Sequence, residues 1–514
     1  MLKLSVRALS AAAFMVSVSL GSLLADSTLA QEMSFSRQDT LPFGPFAGQR
    51  DAAAGDFNGD GKVDMVVAMD GPPALRILLG HGDGTFQEGP TPPIQQGAQH
   101  VVVADFNNDG RQDLAVIHFA SNAVVTLLGN GDGTFRAAPG ISTENVLRAI
   151  VAGDFNGDGA QDLAVATSAI VGSSLNIYLG AGDGTFSLAQ QVNRIPIALA
   201  ARDLNGDGLL DLATIEVGSQ QNRVFALLGQ GDGTFEPVAQ TSADIGPAAR
   251  SLAVGDFNGD GMQDVATADP NNDVISVLIG NGDGTFAAAQ TYAPGVSPFD
   301  LVQPLDIEVA DFNADGHLDL ATANRKPADP PIEGSAGILL GRGDGTFEPA
   351  REFATTDGTE VLVVADFNRD GRPDIAALSD SDFAEDRMTV LLNTTATAQT
   401  EVTIDIKPGS AVNSINPRSN GKIRVAVLTR DGFDATAVDP ATVRFGGTGT
   451  EAAPVHFALG DVDDDGSTDL VLWFKTRETS IACGATSASL TGRTSGGQPI
   501  SGSDSIRTVG CGPN

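Results

Sequence analysis

Residues 56–64 read Asp-Phe-Asn-Gly-Asp-Gly-Lys-Val-Asp, and this nine-residue pattern decides the fold because it recurs along the chain. Versions of it, spaced 49 to 55 residues apart, begin at Asp56, Asp105, Asp154, Asp203, Asp256, Asp311 and Asp366. A second pattern, Gly-Asp-Gly-Thr-Phe, follows the first six at 30 to 36 residues and ends at Phe86, Phe135, Phe186, Phe235, Phe286 and Phe347. A period near 50 residues indicates one small supersecondary unit stacked many times.

Each repeat predicts four short strands. In the second repeat, apolar runs at 101–104, 114–117 and 124–128 flank the Asp pattern and precede the Gly-Asp-Gly turn, and a fourth strand begins at Phe135. Continuous apolar runs of this length are typical of strands that are covered on both faces by neighbouring sheets. Seven units of four strands fall within the usual range of propeller blades. The sequence therefore predicts an all-β fold, a seven-bladed β-propeller over residues 31–396.

The two ends of the repeat region predict that the ring is closed by a strand clasp. The seventh repeat reaches Asn393 without a Gly-Asp-Gly-Thr-Phe turn or a fourth strand. Phe35 stands 21 residues before Asp56, at the spacing that separates turn Phe and Asp pattern elsewhere. We expect residues 34–40 to be the missing fourth strand, pairing with the strand at Val390 and leaving no open sheet edge.

The Asp pattern also predicts a metal site. Positions 1, 3, 5 and 9 place carboxylate and amide oxygens around one point, position 7 can offer its carbonyl, and Gly at position 6 allows the sharp turn. Such hard oxygen ligands without His or Cys favour Ca²⁺, about seven ions in all. The candidate ligands are Asp56, Asn58, Asp60, Asp64, Asp105, Asn107, Asp109, Asp113, Asp154, Asn156, Asp158, Asp162, Asp203, Asn205, Asp207, Asp211, Asp256, Asn258, Asp260, Asp264, Asp311, Asn313, Asp315, Asp319, Asp366, Asn368, Asp370 and Asp374.

A single loop of this kind could equally be a solvated hairpin turn. Seven copies that all keep the four ligand positions favour the metal site, as does the mutual repulsion of three Asp per loop. The pattern differs from an EF-hand because position 12 is Val67 or Val116 rather than Glu. The Asp at position 9 would therefore contribute more to closing the loop around the ion. The Gly-Asp-Gly-Thr-Phe pattern is interpreted as structural, a tight turn whose Phe packs between blades.

These patterns resemble the FG-GAP/VCBS repeat family, the calcium-binding propellers related to the integrin α-subunit head, in their secreted bacterial form. The resemblance covers about residues 35–393. It implies calcium at Asp56, Asn58, Asp60 and Asp64 and at the matching positions of the other six loops. It also implies a role in adhesion, in sugar binding or as an accessory module of a secreted enzyme. Leu204 replaces the loop Phe in the fourth repeat, and Pro373 stands at position 8 in the seventh; neither change removes a ligand.

Residues 397–514 lack the 50-residue period and predict a separate β-sandwich-like module. Its strand-like segments lie at 402–406, 422–428, 442–445 and 470–474, and Trp473, the only Trp, is expected in its core. An eighth candidate calcium loop contains Asp461, Asp463, Asp465 and Asp469. Cys483 and Cys511 are the only cysteines, and we expect them to pair.

Composition and the N-terminus point to the cell exterior. Lys3 and Arg7 precede an apolar run at 11–24 and small residues ending at Ala30, so residues 1–30 are interpreted as a signal peptide; the alternative is a retained anchor. No later run is long enough to span a membrane. The net charge of −35 disfavours nucleic-acid binding. We expect a secreted, surface-held or periplasmic monomer.

The sequence favours a binding protein over an enzyme. The five His are scattered, and neither a Gly-x-Ser-x-Gly elbow nor a His-Glu-x-x-His motif is present. The segments that differ most between repeats, 117–122, 215–223, 325–335 and 379–387, share the face opposite the Asp loops, where binding residues concentrate. The predicted function is calcium-dependent, non-enzymatic binding or adhesion to an extracellular protein or glycan. The alternative is a calcium-dependent carbohydrate-binding protein or an accessory part of a polysaccharide-degrading, lyase-like enzyme.

Overall fold

The computed structural model describes most of the chain between Met33 and Cys511. The described residues are 33–45, 48–95, 97–168, 173–218, 221–238, 245–296, 301–326, 333–355, 358–379, 385–395, 400–410, 412–430, 433–495 and 498–511. The predicted signal peptide lies outside them, as do parts of three of the variable segments. Within the described residues, no helix is both long enough and apolar enough to cross a membrane.

The described chain is an all-β, propeller-like repeat fold in which hairpin-connected antiparallel strands form consecutive sheets. The N-terminal strand is β1 (Phe35–Pro45). Sheet 1 contains β2 (Gln49–Gly55), β3 (Asp64–Met69), β4 (Leu75–Gly80) and β5 (Phe86–Glu88). Sheet 2 contains β6 (Ala98–Ala104), β7 (Asp113–His118), β8 (Ala123–Gly129), β9 (Phe135–Ala137) and an additional short strand, β10 (Ile141–Ser142). Sheet 3 contains β11 (Val146–Gly153), β12 (Asp162–Ser168), β13 (Ser174–Gly180) and β14 (Phe186–Val192).

The next four sheets repeat the same order. Sheet 4 contains β15 (Pro196–Arg202), β16 (Asp211–Glu216), β17 (Arg223–Gly229) and β18 (Phe235–Pro237). Sheet 5 contains β19 (Ser251–Gly255), β20 (Asp264–Asp269), β21 (Val274–Leu278) and β22 (Gln290–Tyr292). Sheet 6 contains β23 (Gln303–Ala310), β24 (Asp319–Lys326), β25 (Glu333–Leu339) and β26 (Arg351–Ala354). Sheet 7 contains β27 (Thr359–Ala365), β28 (Asp374–Ser379), β29 (Glu385–Asn393) and, as its fourth strand, β1.

The apolar runs are buried because each sheet is covered on both sides. Each of seven buried apolar clusters combines residues of two neighbouring sheets, and one of them joins sheet 7 to sheet 1 through Met65, Val67, Val363 and Val390. The first strands of successive sheets also contact one another, and β27 contacts β2. Along the strands within each sheet, successive side chains therefore pack into the cluster on one side and the cluster on the other in turn.

The predicted pairing of the N-terminal segment with the strand at Val390 is confirmed. Strand β1 runs antiparallel to β29, with Phe35 opposite Asn393 and Gln38 opposite Val390. The ring of Phe35 packs at 4.7 Å from Phe353 and 6.3 Å from Phe312, measured between ring centroids. Residues almost 360 positions apart in sequence thus complete one sheet.

The residues after 400 form two further four-stranded sheets and a two-stranded one. One has the order β30 (Thr400–Glu401), β38 (Pro499–Ser505), β37 (Ser487–Thr494), β34 (Val438–Gly446). The other has the order β31 (Ile404–Ile406), β33 (Lys422–Val427), β36 (Asp469–Lys475), β35 (Pro454–Gly460). Strands β32 (Ser414–Ile415) and β39 (Arg507–Thr508) form the two-stranded sheet. Two single-turn 3₁₀ helices lie in this part of the chain, at Ala435–Ala437 and Thr476–Glu478, and another lies between β7 and β8, at Phe119–Ser121.

One apolar cluster joins the two four-stranded C-terminal sheets and includes Phe445 and Phe474. The expected position of Trp473 in this core is wrong. Because side chains alternate along β36, Trp473 points to the other face, where it is half-buried and its ring centroid lies 4.8 Å from that of His456. Cys483 and Cys511 form the expected disulfide.

Deletion of β1 tests the importance of the completed sheet. A chain beginning at residue 48 is expected to unfold at a much lower temperature than one beginning at residue 33, because β29 would lose its neighbour and Phe312 its ring contact. Thermal unfolding of the two truncated chains, followed by circular dichroism, measures the difference. Equal unfolding temperatures would contradict this role for β1.

Glu308 of β23 provides a second test, based on pH. Burial is the main cause that raises the pKa of its carboxyl to about 8; the nearby carboxylates of Asp306 and Asp51 add to the rise, and Arg202 opposes it. Since the pKa is higher in the folded protein, folding favours the protonated form. The corresponding stability is present below about pH 4.5 and is lost as the pH rises through about 8.

Glu308→Gln is therefore expected to match the parent protein at pH 4 and to exceed its free energy of unfolding at pH 8.5 by an amount on the order of a few kcal/mol. Denaturant unfolding at both pH values measures this, with Glu236→Gln at an exposed position of β18 as the control. A stability difference that does not change with pH would exclude this role for Glu308.

Candidate metal centres

The eight Asp loops, defined as the nine-residue segments that begin at the seven repeat positions and at Asp461, share one backbone conformation. In the first loop, Oδ1 of Asp56 accepts hydrogen bonds from the N–H groups of Gly59 (2.7 Å) and Asp60 (3.2 Å), and its Oδ2 accepts one from Gly61 (2.9 Å). Asn58 Oδ1 accepts one from the N–H of Asp60 at 2.9 Å. The chain is thereby wrapped around the position 1 carboxylate.

The loop requires left-handed backbone at two positions. Position 6 is Gly in every loop, with φ of +76° in Gly61 and +91° in Gly466. Position 4 also has positive φ, which the sequence pattern did not predict. Four loops place a residue other than Gly there, namely Asn108, Ala314, Arg369 and Asp464. Left-handed backbone is unfavourable for Ala and Arg, so the surrounding loop has to hold it in place.

The position 9 carboxylate is buried in all eight loops and has two backbone partners. In the first loop, Asp64 is fully buried; its Oδ2 accepts a hydrogen bond from Phe57 N–H at 3.0 Å and its Oδ1 one from Gly80 N–H at 2.7 Å. Asp113, Asp162, Asp211, Asp264, Asp319 and Asp374 make the equivalent pair of bonds. In the eighth loop, Asp469 accepts bonds from Val462 and Thr429. Position 9 thus closes the loop and also attaches it to a neighbouring strand.

Burial changes the acidity of these carboxyls. It raises the pKa of Asp113 to about 6, against the effect of the N–H groups of Gly129 and Phe106, and the carboxylates of Asp109 and Asp105 add to the rise. The pKa of Asp319 is raised to about 7, again mainly by burial. A cation beside such a loop would favour the ionised form.

The position 5 carboxylates lie at the exposed rim of the loops. Asp60 forms an ion pair with Lys62 at 2.9 Å, Asp109 with Arg111 at 2.6 Å, and Asp370 with Arg372 at 2.5 Å. In five loops the second oxygen of position 5 also accepts a hydrogen bond from the side-chain amide of position 3. Surface pairs of this kind contribute little to stability and would exchange readily for a cation.

The loops differ in how closely their carboxylates approach. Among the described residues, only Asp461, Asp463 and Asp469 of the eighth loop bring three carboxylate oxygens within 4.8 Å of one another. This loop has Asp at position 3, where the other seven have Asn. Arg430 forms an ion pair with Asp463 at its edge. Oxygen donors, Gly at position 6 and spare lone pairs on the bonded carboxylates all fit a hard divalent cation.

The Gly-Asp-Gly-Thr-Phe turns are structural, as the sequence predicted. Asp83 Oδ1 accepts hydrogen bonds from the N–H (3.0 Å) and hydroxyl (2.6 Å) of Thr85, and the other turns repeat this arrangement. The Phe that ends a turn packs edge-to-face on the position 2 Phe of the neighbouring sheet, with centroids 5.3 to 5.7 Å apart. In five pairs of neighbouring sheets, the Gly before Thr donates its N–H to the carbonyl of that position 2 residue. Asp loops and turns therefore lie on one face.

The repeat is recognised by a family model described as the FG-GAP-like repeat. It matches residues 56–116, 105–165, 154–214, 203–267, 256–322 and 329–377, more than half of the chain. The protein belongs to the FG-GAP-like repeat family. The sequence matches none of the curated proteins with which it was compared.

Three solved structures resemble this FG-GAP-like repeat protein only distantly. The Tc holotoxin pore of Photorhabdus luminescens is 16% identical with a TM-score of 0.32, and the match covers 64% of this chain and 17% of that one. A fungal alcohol oxidase of the AA5 family, in complex with copper, is 10% identical with a TM-score of 0.42 over 93% of this chain and 99% of that one. A protein from Lactobacillus plantarum is 13% identical with a TM-score of 0.43 over 64% and 89%.

Positions 9 and 5 of one loop are expected to respond differently to calcium. Asp113→Asn leaves a buried N–H group without its acceptor and should cost about 1–3 kcal/mol in chelator, and more in calcium, because position 9 is also a candidate ligand. Asp109→Asn changes an exposed group and should reduce stability in calcium but not in chelator. Calorimetric melting of both variants and the parent in calcium and in EGTA measures this. Equal losses for Asp109→Asn under the two conditions would contradict the assignment of position 5 to the cation.

Proposed function

We propose that this protein is a calcium-stabilised, non-enzymatic binding protein of the extracellular space. Its repeats would form a closed, seven-bladed propeller, followed by a β-sandwich-like C-terminal module. Closure is supported by the completion of sheet 7 by β1 and by the apolar cluster that joins sheet 7 to sheet 1. Secretion is supported by the N-terminal sequence pattern and by the disulfide between Cys483 and Cys511.

The observation that carries the calcium assignment is the eightfold recurrence of one loop conformation around oxygen donors. Positions 1, 3, 5 and 9 would hold the ion in the seven repeats, and Asp461, Asp463, Asp465 and Asp469 in the C-terminal loop. Bound calcium would offset the repulsion among three or more carboxylates in each loop and fix the hairpin between the first two strands of its sheet. Its role would be structural.

Exposed apolar side chains support the face opposite the Asp loops as the binding face. Phe119 and Val217 lie in turns between second and third strands, and Ile195, Val296 and Leu301 in links between sheets, all on that face. Their exposed fractions run from 46% for Ile195 to 64% for Leu301. Leu209 and Met262, in Asp loops on the other face, are less exposed, at 36% and 41%. Exposed apolar groups on a variable face are typical of interaction surfaces. An extracellular protein or glycan would bind there.

Elemental analysis tests the calcium assignment. After dialysis against calcium-containing buffer, the protein is expected to retain about seven ions per chain, or eight if the C-terminal loop is occupied, and EGTA is expected to lower its melting temperature strongly. Replacing Asp461, Asp463 and Asp469 together by Asn should remove at most one ion. A protein without bound calcium, or with a melting temperature unaffected by EGTA, would disprove the assignment.

A glycan array in calcium, followed by assays for new reducing ends and unsaturated products, tests the binding function. Binding without turnover is expected for a glycan partner, and Phe119→Ser with Leu301→Ser should abolish it. Leu188→Ser, at an equally exposed site on the outer strand β14, is the matched control. Product formation would contradict the non-enzymatic assignment. Glycan binding that survives the double substitution would place the site elsewhere.

A further inference from the structure

The first strands of all seven sheets meet around one cavity of about 610 Å³. It lies at the ends of these strands that are remote from the Asp loops, on the proposed binding face. Each sheet contributes a lining residue from its first strand or from the residue just before it, for example Asp51 of β2, His100 of β6 and Asp306 of β23. A cavity of this size is in the range of small-molecule sites.

A recurring irregularity directs side chains into this cavity. In six of the seven first strands the register shifts by one residue at the same point, six positions before the Asp loop. The extra residues, all of which line the cavity, are Arg50, Gln99, Arg148, Ile197, Leu305 and Glu360. A bulge re-aims a side chain and interrupts pairing. None of these interruptions supports the Asp loops, which lie at the other end of the strands.

Three arginines and one glutamate, Glu360, lie at the rim of the cavity, so the rim has an excess of positive charge in a protein whose net charge is −35. Arg50, Arg148 and Arg250 are exposed there. Arg50 pairs with Asp70 at 2.6 Å, and Arg250 Nε donates to the carbonyl of Leu305 at 3.1 Å. The Arg148 side chain has no hydrogen-bond or ion-pair partner among the described residues. A guanidinium group is suited to hold a carboxylate through two parallel hydrogen bonds.

One residue further along the strands, the wall is acidic. Asp51 accepts hydrogen bonds from Val101 N–H at 3.0 Å and lies 3.3 Å from His100 Nδ1. Asp306 accepts them from the Ser251 hydroxyl at 2.7 Å and from Leu362 N–H at 3.0 Å. These bonds connect neighbouring sheets, and burial raises the pKa of Asp306. A cationic group at this depth would be attracted to both carboxylates.

Much of the remaining wall is aliphatic, although Gln99 and Ser251 also line it. Ile197, Leu199, Leu252 and Leu305 line it, and none of the described lining residues is Phe, Tyr or Trp. A sugar ring would find no aromatic ring to stack on, whereas a flexible aliphatic chain could lie against these residues. Arginines at the rim and carboxylates one residue further along the strands thus line the same cavity as aliphatic side chains. Ile197 and Leu305 lie at the level of the arginines, and Leu199 and Leu252 lie beyond the carboxylates.

We propose that this axial cavity binds a small amphoteric molecule in which an aliphatic chain separates a carboxylate from an ammonium group. Its carboxylate would bind Arg148 and Arg250 at the rim, its aliphatic part would lie against Ile197 and Leu252, and its ammonium group would approach Asp306 and Asp51. The inference rests on the proposed function only in using the same face as the binding face; it does not depend on the identity of a larger partner.

Three probes of equal chain length separate the charges. Isothermal titration of the full chain in calcium with 6-aminohexanoate, hexanoate and hexylamine is expected to show 6-aminohexanoate binding about tenfold or more tightly than either singly charged probe. Glucuronate is included as an acidic sugar. Absence of 6-aminohexanoate binding, equal binding of hexanoate, or tighter binding of glucuronate would each overturn the proposal.

Variants locate the site. Arg148→Gln is expected to weaken 6-aminohexanoate binding about tenfold, whereas Arg136→Gln, at an exposed position of β9, should leave it unchanged. Ala198→Trp should fill the cavity and abolish binding, with the melting temperature as a check on folding. If Ala198→Trp does not fold, the Arg148→Gln variant still tests the proposal, because 6-aminohexanoate binding as tight as that of the parent protein would overturn it. If the parent protein contains its full complement of calcium but does not bind 6-aminohexanoate, the result counts against the cavity alone. If the parent protein binds 6-aminohexanoate but contains no calcium, the result counts against the proposed function alone.

Discussion

The buried carboxylate at position 9 of each Asp loop is the interaction on which the fold depends. In sheet 1, Asp64 receives the N–H of Phe57 at the start of its own loop and the N–H of Gly80 at the end of the third strand. One side chain therefore holds the first hairpin and the third strand at a fixed distance. A buried carboxylate is costly unless its oxygens are hydrogen-bonded, and two backbone donors supply those bonds in each of the seven repeat sheets. The exposed oxygen donors of the loop, which we propose as cation ligands, would then not have to hold the hairpin alone.

Contacts between sheets use the same loops. The position 2 Phe of a loop meets the turn Phe of the next sheet, and the pair Phe86–Phe367 extends this series from sheet 7 to sheet 1. Sheet 7 has no Gly-Asp-Gly-Thr-Phe turn of its own. There Phe35 of β1 takes the ring position beside Phe312, and the side-chain amide of Asn393 donates to the Phe312 carbonyl at 2.7 Å, where a turn Gly donates elsewhere. The same two contacts are thus made by different residues.

The two ends of the first strands have different tasks. At one end the Asp loops are nearly identical from sheet to sheet, as expected if they hold the same ion and make the same bonds. At the other end the bulged positions carry Arg, Gln, Ile, Leu and Glu, and the turns nearby expose Phe119 and Val217. Because the Asp loops on one face stabilise the sheets, the residues on the opposite face can vary in shape and charge. This is the arrangement expected of a binding scaffold.

The amino-acid sequence by itself determined the repeat, its four strands, the Asp loops, the structural turns and the return of residues 34–40 to the strand at Val390. All but the last follow from short-range patterns that occur six or seven times, which makes a chance resemblance improbable. The return of residues 34–40 follows from the fourth strand that the seventh repeat lacks. The sequence did not indicate the left-handed backbone at position 4, where Ala314 and Arg369 give no such signal, nor the outward position of Trp473.

Only the tertiary structure decided which groups meet across sheets. That Asp64 would bind Gly80 N–H, that Asn393 would replace a turn Gly, and that Arg148, Asp306 and Ile197 would face one cavity all depend on the register of strands and the order of the sheets. Residues far apart in sequence are brought together by the packing of seven similar sheets, and local periodicity carries no information about which of their side chains come into contact.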